Sequence, residues 1–310
     1  MDKNDKVIQA AKLYYLLDCT QNEIAKKLGV SRPTVSRMLQ TAKREGIVQI
    51  KICEKADRLT DLEAELEQKY GLKKAVVASV GQYEDPIIKT TIGLKAAEYL
   101  DSIVQDDDII GVTWGTTIYH VAVELKKKQV NNVQVVQLKG GISLSEKNTY
   151  VSEILYLFGK AFNASPHYLP LPAIVDNVVV KEAIMADRHI KRVIDMGKRA
   201  NIALFTCGQI KSDSLLFNLG YFSEEDANML YSTAVGDISS RFFDKDGHVC
   251  SKSLNERTLG IELEELKQKD YSILVAGGSH KIESIHAALK GGYANVLVTD
   301  QYTARFILDK

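Results

Sequence analysis

Residues 20–40, TQNEIAKKLGVSRPTVSRMLQ, constrain the chain more than any other stretch, because their spacing admits one compact local arrangement. Ala25 is small enough for two helices to cross over it, and Gly29 can take the left-handed backbone that ends a helix. Val35 then supplies a β-branched side chain for the second helix to bury. Thr20 with Glu23 has the capping-box pattern that opens a helix, and Ser31 is placed to cap the next one. Ile24, Leu28, Val30 and Met38 supply a small core behind the pair. Ser31, Arg32, Pro33, Thr34, Ser36 and Arg37 crowd the start of the second helix, and Thr20 and Gln21 start the first. A bland bundle needs no such polar and basic cluster at one helix end. Side chains in that position reach base edges when the helix enters the major groove, so the stretch reads as a helix-turn-helix that binds DNA.

Its surroundings agree. Val7, Ala10, Ala11, Tyr14 and Leu17 repeat at a helical period and predict a third helix over residues 4–17. Residues 47–52, IVQIKI, alternate as a strand does and predict the wing of a winged head, with Gln49 and Lys51 facing outward. The formal net charge is zero, yet residues 1–55 hold 11 Lys and Arg against 6 Asp and Glu, leaving 29 against 34 for the remainder. A basic head on an acidic body suits a nucleic-acid partner. Leu59, Leu62 and Leu66 then repeat among charges, an amphipathic helix suited to pairing with its copy in a second subunit.

From Lys74 onward the pattern changes. Apolar strand candidates at 75–80, 108–114, 133–138, 167–172, 202–207, 271–276 and 295–299 alternate with amphipathic helices. Continuous apolar strands separated by helices predict a mainly parallel sheet covered on both faces, a doubly wound α/β Rossmann-like domain. RFFDKDGHVCS predicts a hairpin around Asp246 and Gly247. The expected organisation is a head over 1–55, a linker or oligomerisation helix over 56–73 and an effector domain over 74–310.

In doubly wound sheets the ligand lies beyond the carboxyl ends of the strands. Gly115, Thr116 and Thr117 follow one strand and open a helix, a phosphate site by virtue of free N–H groups, although the same residues also make an ordinary strand-to-helix turn. Gly277 and Gly278 form a second Gly-rich end with Lys281 just inside its helix. Lys139, followed by Gly140 and Gly141, which are candidate effector contacts with it, ends a buried strand, where an ammonium is costly unless an anion or a ligand compensates. It either faces the pocket, pairing an anion or forming a Schiff base with an aldehyde sugar, or snorkels outward. Asp237 is placed to bond sugar hydroxyls or to hold a turn.

No run of about 18 apolar residues appears and the N-terminus MDKNDK is polar, so no membrane partner and a cytoplasmic location are expected. Cys19, Cys53, Cys207 and Cys250 form no paired spacing, and neither a metal site nor a cofactor is expected. His189 and His286 read as surface or packing residues in helices.

The head, followed by GVTWGTT, VVQLKGG, NIALFTCG, VGDISSRFFD and SILVAGGSHK, resembles the SorC family of bacterial sugar-responsive transcription regulators over essentially the whole chain. The resemblance implies an effector domain with a fold similar to sugar-phosphate isomerases, an operator DNA partner, a homo-oligomer (dimer or tetramer) and a phosphorylated sugar as effector. It would place phosphate on Gly115, Thr116, Thr117, Gly277, Gly278 and Lys281, with Lys139 beside the aldehyde carbon and Asp237 near hydroxyls. VVQLKGGIS, HYLPLP and LFNLGYF resemble members that govern deoxyribonucleoside use, which implies a repressor released by deoxyribose 5-phosphate. Another sugar phosphate is the alternative. A remoter one is an isomerase-like enzyme, against which stands the DNA-reading head and the lack of an evident acid or base to partner Lys139.

Overall fold

The computed structural model describes residues 3–17, 19–44, 46–48, 56–142 and 148–310. The chain forms two compact units, Met1–Cys53 and Glu54–Lys310. The first holds three helices, α1 (Lys3–Tyr15), α2 (Gln21–Leu28) and α3 (Arg32–Arg44). Ile24 and Val35 are fully buried, with Ala10 and Leu39 beside them, so the spacing that suggested the motif also builds its core. Helix α1 ends earlier than the periodicity suggests, and Leu17 lies outside it, 65% exposed. Of the expected wing strand, Ile47 and Val48 form a bend, and residues 49–52, with Gln49 and Lys51, fall outside the described residues.

The second unit begins with α4 (Ala56–Tyr70). The strands are β1 (Lys74–Ala78), β2 (Ile109–Val112), β3 (Gln134–Gln137), β4 (Pro166–His167), β5 (Ile202–Phe205), β6 (Cys207–Gly208), β7 (Gly236–Ile238), β8 (Arg241–Phe243), β9 (Tyr271–Val275) and β10 (Val296–Asp300). Among the described residues, seven of them form one parallel sheet in the order β1-β10-β9-β5-β2-β3-β4. Helices α5 (Asp85–Ile103), α6 (Thr116–Glu124) and α7 (Val151–Ala161) are among those that cover its faces. Ile202 to Phe205 are all fully buried, as a strand covered on both sides requires. The chain leaves β2 toward β3 and leaves β5 toward β9, so the order reverses between β2 and β5, where such sheets open a crevice.

Two expectations need correction. Of the strand candidate at 167–172 only His167 lies in a strand, β4 (Pro166–His167), because Pro170 and Pro172 have no N–H to donate to a ladder. Leu66 of α4 is fully buried in this unit's own core, and Leu59 and Leu62 pack against it, so these leucines are not a free seam for a second copy. Helix α4 also closes the sheet edge: Glu63 and Glu67 accept the N–H groups of Val77 and Ala75, each at 2.9 Å. Those donors would otherwise be open to strand addition.

A smaller antiparallel sheet, β6-β7-β8, begins just beyond the carboxyl end of β5. Its last strand continues through a tight turn, with Phe243 bridging Val249 around Asp246 and Gly247, the hairpin that the sequence suggests. Arg241 in β8 is fully buried and donates to the carbonyls of Ile261 (2.7 Å), Asn255 (3.0 Å) and Gly260 (3.1 Å) and to Glu262 at 2.8 Å. The loop so held pairs with the extension of β3: Lys139 bridges Gly260, and Gly140 N–H donates to Leu259. We expect Arg241→Met to lower the unfolding free energy by about 3 kcal/mol or more, since several buried carbonyls lose their donor at once. Urea denaturation measures it, and a loss under about 1 kcal/mol would contradict this role for the arginine.

Candidate functional site

In the head, both halves of the first cap form. Thr20 N–H donates to the Glu23 carboxylate at 2.8 Å, and Glu23 N–H donates to Thr20 Oγ1 at 3.4 Å. This backbone bond from Thr20 holds the Glu23 carboxyl below its ordinary pKa. Gly29 closes α2 at φ 62°, and its N–H reaches the Ala25 carbonyl. Ser31 Oγ accepts the Thr34 N–H at 3.4 Å, so the second cap forms as well. With Val35 and Leu39 turned inward, Arg32, Pro33 and Arg37 are left exposed on α3, and Thr34 and Ser36 are half-buried. Thr20 is exposed and Gln21 half-buried at the start of α2. That is an uncovered polar and cationic helix start.

In the second unit a cavity of about 240 Å³ opens at the carboxyl ends of β2, β5 and β9, at the reversal of strand order. Gly115, Thr116, Thr117, Lys139, Asp237 and Lys281 all line it. Gly115 precedes α6 at φ 131°, and no side chain caps that helix. The first backbone bond into it is Tyr119 N–H to the Gly115 carbonyl, so the preceding N–H groups are available to an anion. Lys281 is buried, with Nζ 3.3 Å from Thr206 Oγ1, and burial lowers its pKa.

Lys139 points inward. Its Nζ lies 3.7 Å from the centroid of the Trp114 ring and 3.4 Å from Ser240 Oγ. Burial pulls its pKa from 10.5 down to about 8, with the attraction of Asp237 opposing. Asp237 is pushed up by its own burial, with Lys139, the Ser240 N–H and Lys281 opposing. The carboxylate is brought there by a two-residue turn, Ser239-Ser240, both at positive φ (55° and 64°), which joins β7 to β8. A hairpin of this kind favours Asn or Gly; here Ser240 N–H donates to Asp237 Oδ2 at 3.1 Å and helps to hold it. Gly208 lies so close that a Cβ there would stand 2.0 Å from Asp237 Oδ1.

Four of the sequence candidates do not line the cavity. A Cβ on Gly140 would stand 2.1 Å from the Pro172 carbonyl, and one on Gly141 2.9 Å from Trp114 Nε1. These glycines let the β3 extension pass its neighbours and let Trp114 Nε1 donate to the Gly140 carbonyl at 2.7 Å. Gly277 packs against Asp300, and Gly278 N–H already donates to Thr303 Oγ1 (2.8 Å) and Asp300 Oδ2 (3.2 Å). The second Gly-rich end thus carries an internal acceptor.

Sequence reasoning missed other wall residues. Trp114 sits within the GVTWGTT stretch, beside the residues that drew attention. Lys89 has no local signal, since α5 reaches the cavity only through the fold, whereas His280 stands beside Lys281 within SILVAGGSHK; Asp85 approaches them at 3.3 and 3.2 Å. Asp237 is also the acid or base that the sequence did not evidently pair with Lys139.

The depressed pKa of Lys139 has a consequence for stability. Between about pH 8 and 10.5 the folded protein has released this proton while the unfolded chain still holds it, so stability from this group rises with pH across that window and is lost as pH falls through 8. We expect Lys139→Met to remove that part of the slope in urea unfolding; an unchanged slope would contradict it.

The family model for a sugar-binding domain matches residues 54–309, and that for a Crp-like helix-turn-helix domain matches residues 7–64. The deoxyribonucleoside regulator of Bacillus subtilis (strain 168) is 51% identical over 308 residues, covering 99% of this chain and 98% of that one. The sorbitol operon regulator of Klebsiella pneumoniae is 34% identical over 305 residues, covering 97% of each. The crystal structure of full-length sorbitol operon regulator SorC from Klebsiella pneumoniae superposes with a TM-score of 0.77 at 33% identity, covering 99% of both chains.

Proposed function

The chain belongs to the SorC family of sugar-binding transcriptional regulators, and from that premise we propose that it represses genes of deoxyribonucleoside or deoxyribose use until deoxyribose 5-phosphate releases it from its operator. It is a DNA-binding, sugar-responsive transcriptional regulator. Its relatives are named as transcriptional regulators, and we read the cavity as an effector site rather than a catalytic one.

One observation carries the effector reading. A single cavity has an uncapped helix start with Lys281 near it and a buried amine, Lys139, of lowered pKa. A phosphate suits the first and an aldehyde carbon the second. In our reading Gly115, Thr116, Thr117 and Lys281 take the phosphate, Asp237 takes a hydroxyl, and Lys139 takes C1. The neutral Lys139 amine adds to the aldehyde carbon, and the carbinolamine loses the former carbonyl oxygen as water, leaving an imine. Sugars ketonic at C2, or lacking a free carbonyl, offer no such reaction at C1. The name of the Bacillus subtilis relative supports a deoxyribose compound over other sugar phosphates.

Release from DNA requires the effector to bind one arrangement of a homo-oligomer, a dimer or tetramer, more tightly than the operator-bound one. The heads then no longer match the half-sites. Arg32, Pro33, Thr34, Ser36 and Arg37 form the reading face, with Ser31, Thr20 and Gln21 at the two helix starts.

We expect Arg37→Ala to weaken operator binding by about 1–3 kcal/mol while leaving unrelated DNA nearly unaffected, if the guanidinium reads a base. Gel-shift titrations against both DNAs measure this, and parental affinity for operator would count against the assigned face. For the effector, Lys139→Ala is expected to bind operator as the parent does and to stay bound when deoxyribose 5-phosphate is added. Release of the variant at the parental sugar concentration would remove Lys139 from the response.

A further inference from the structure

Three side-chain oxygens in the wall of the effector cavity have no hydrogen-bond partner: Thr113 Oγ1, Gln209 Oε1 and Ser214 Oγ. Only five buried side-chain polar atoms among the described residues are in that condition, so most of them gather at one cavity. Unpaired buried oxygens oppose folding, and a cluster of them beside a cavity calls for an explanation.

The three come from two segments. Thr113 directly follows β2, and its own N–H is tied to the Leu204 carbonyl at 3.1 Å. Gln209 and Ser214 stand on the loop that leaves β6. That loop is pinned at its start, because Gly208 pairs with Asp237 in the small sheet. It is pinned at its end by Asn218, whose Nδ2 donates to the Ser214 carbonyl at 2.9 Å, and by Leu216 and Leu219 in the core. The loop is therefore anchored at both ends while the two side-chain oxygens have no partner.

We infer that Thr113, Gln209 and Ser214 read the hydroxyl groups of the effector, so that the loop from Gly208 to Leu216 sets which sugar is accepted. The inference rests on the sugar-phosphate reading above and deepens it. In that reading the Lys139 amine and the phosphate-binding helix start take the two ends of the molecule. Between them C3 and C4 of deoxyribose 5-phosphate each carry a hydroxyl: with one donating to Asp237, the other can donate to the Gln209 carbonyl oxygen, and both can accept from Thr113 and Ser214. A site built to bond a hydroxyl rejects the analogue lacking it strongly, because its own polar groups are then left unpaired.

Three near-isosteric variants test it: Thr113→Val, Gln209→Met and Ser214→Ala in the full chain. Each is probed by calorimetric titration with deoxyribose 5-phosphate and with inorganic phosphate, and by thermal unfolding without ligand. The expected result is a Kd for the sugar phosphate raised about tenfold per variant, as loss of one hydrogen bond implies, with phosphate affinity unchanged. The Tm of the free protein should stay level or rise, since an unpaired polar group has been replaced by an apolar one. Parental sugar-phosphate affinity in all three would overturn the inference. So would a lowered Tm with equal loss of both ligands, the mark of a structural role. A parent protein that binds inorganic phosphate but not deoxyribose 5-phosphate would overturn the effector reading itself.

Discussion

An ammonium taken out of water loses hydration worth several kcal/mol, and a protein retains one only where neighbours restore part of it. Lys139 is kept in that state by the Trp114 ring, the Ser240 hydroxyl and the nearby charge of Asp237. Each of these neighbours depends on something further away. Trp114 is oriented by its bond to the Gly140 carbonyl, which requires glycine at 140 because the chain passes the Pro172 carbonyl so closely. Ser240 and Asp237 depend on a turn with two residues at positive φ, a conformation that costs free energy and recurs where function demands it. Arg241, next in the chain, fixes the 255–262 loop against the backbone of Lys139 itself.

The parallel sheet supplies the frame for this local arrangement. Where its strand order reverses, the ends of β2 and β5 diverge and leave a crevice, and the uncapped start of α6 faces the same cavity as the lysine. The small antiparallel sheet then brings Asp237 to it, and α4 closes the outer edge with two glutamates. The division of labour is clear: the large sheet is rigid and apolar, while the polar groups sit on the loops beyond its strand ends.

The features legible in the sequence were those with local physical causes. The helix-turn-helix rests on caps and buried residues within twenty positions, and the capping box and left-handed Gly29 appear where the residue types demand them. Parallel strands were readable because burial on both faces leaves continuous apolar runs, and the one poor match, 167–172, failed where prolines remove donors. Lys139 stood out because a cation beside a buried strand is anomalous. What stayed hidden was long-range. Arg241 looks like any strand-end arginine until its loop folds over it, and the wall residues Lys89 and Gln209 come from elements whose approach only the topology determines. The glycine pairs misled for a related reason: the Gly-Gly at 277–278 suggests a cradle for phosphate and the one at 140–141 a contact to the effector beside Lys139, yet at both the missing side chains make room for the protein's own atoms.

In the proposed reading a sugar phosphate acts through the buried amine of this cavity. Intact-protein mass spectrometry after mixing with deoxyribose 5-phosphate and borohydride, followed by peptide mapping, tests it most directly. The account predicts one reduced adduct per chain, located on Lys139 and suppressed by excess inorganic phosphate. No adduct, or one spread over surface lysines, would contradict it.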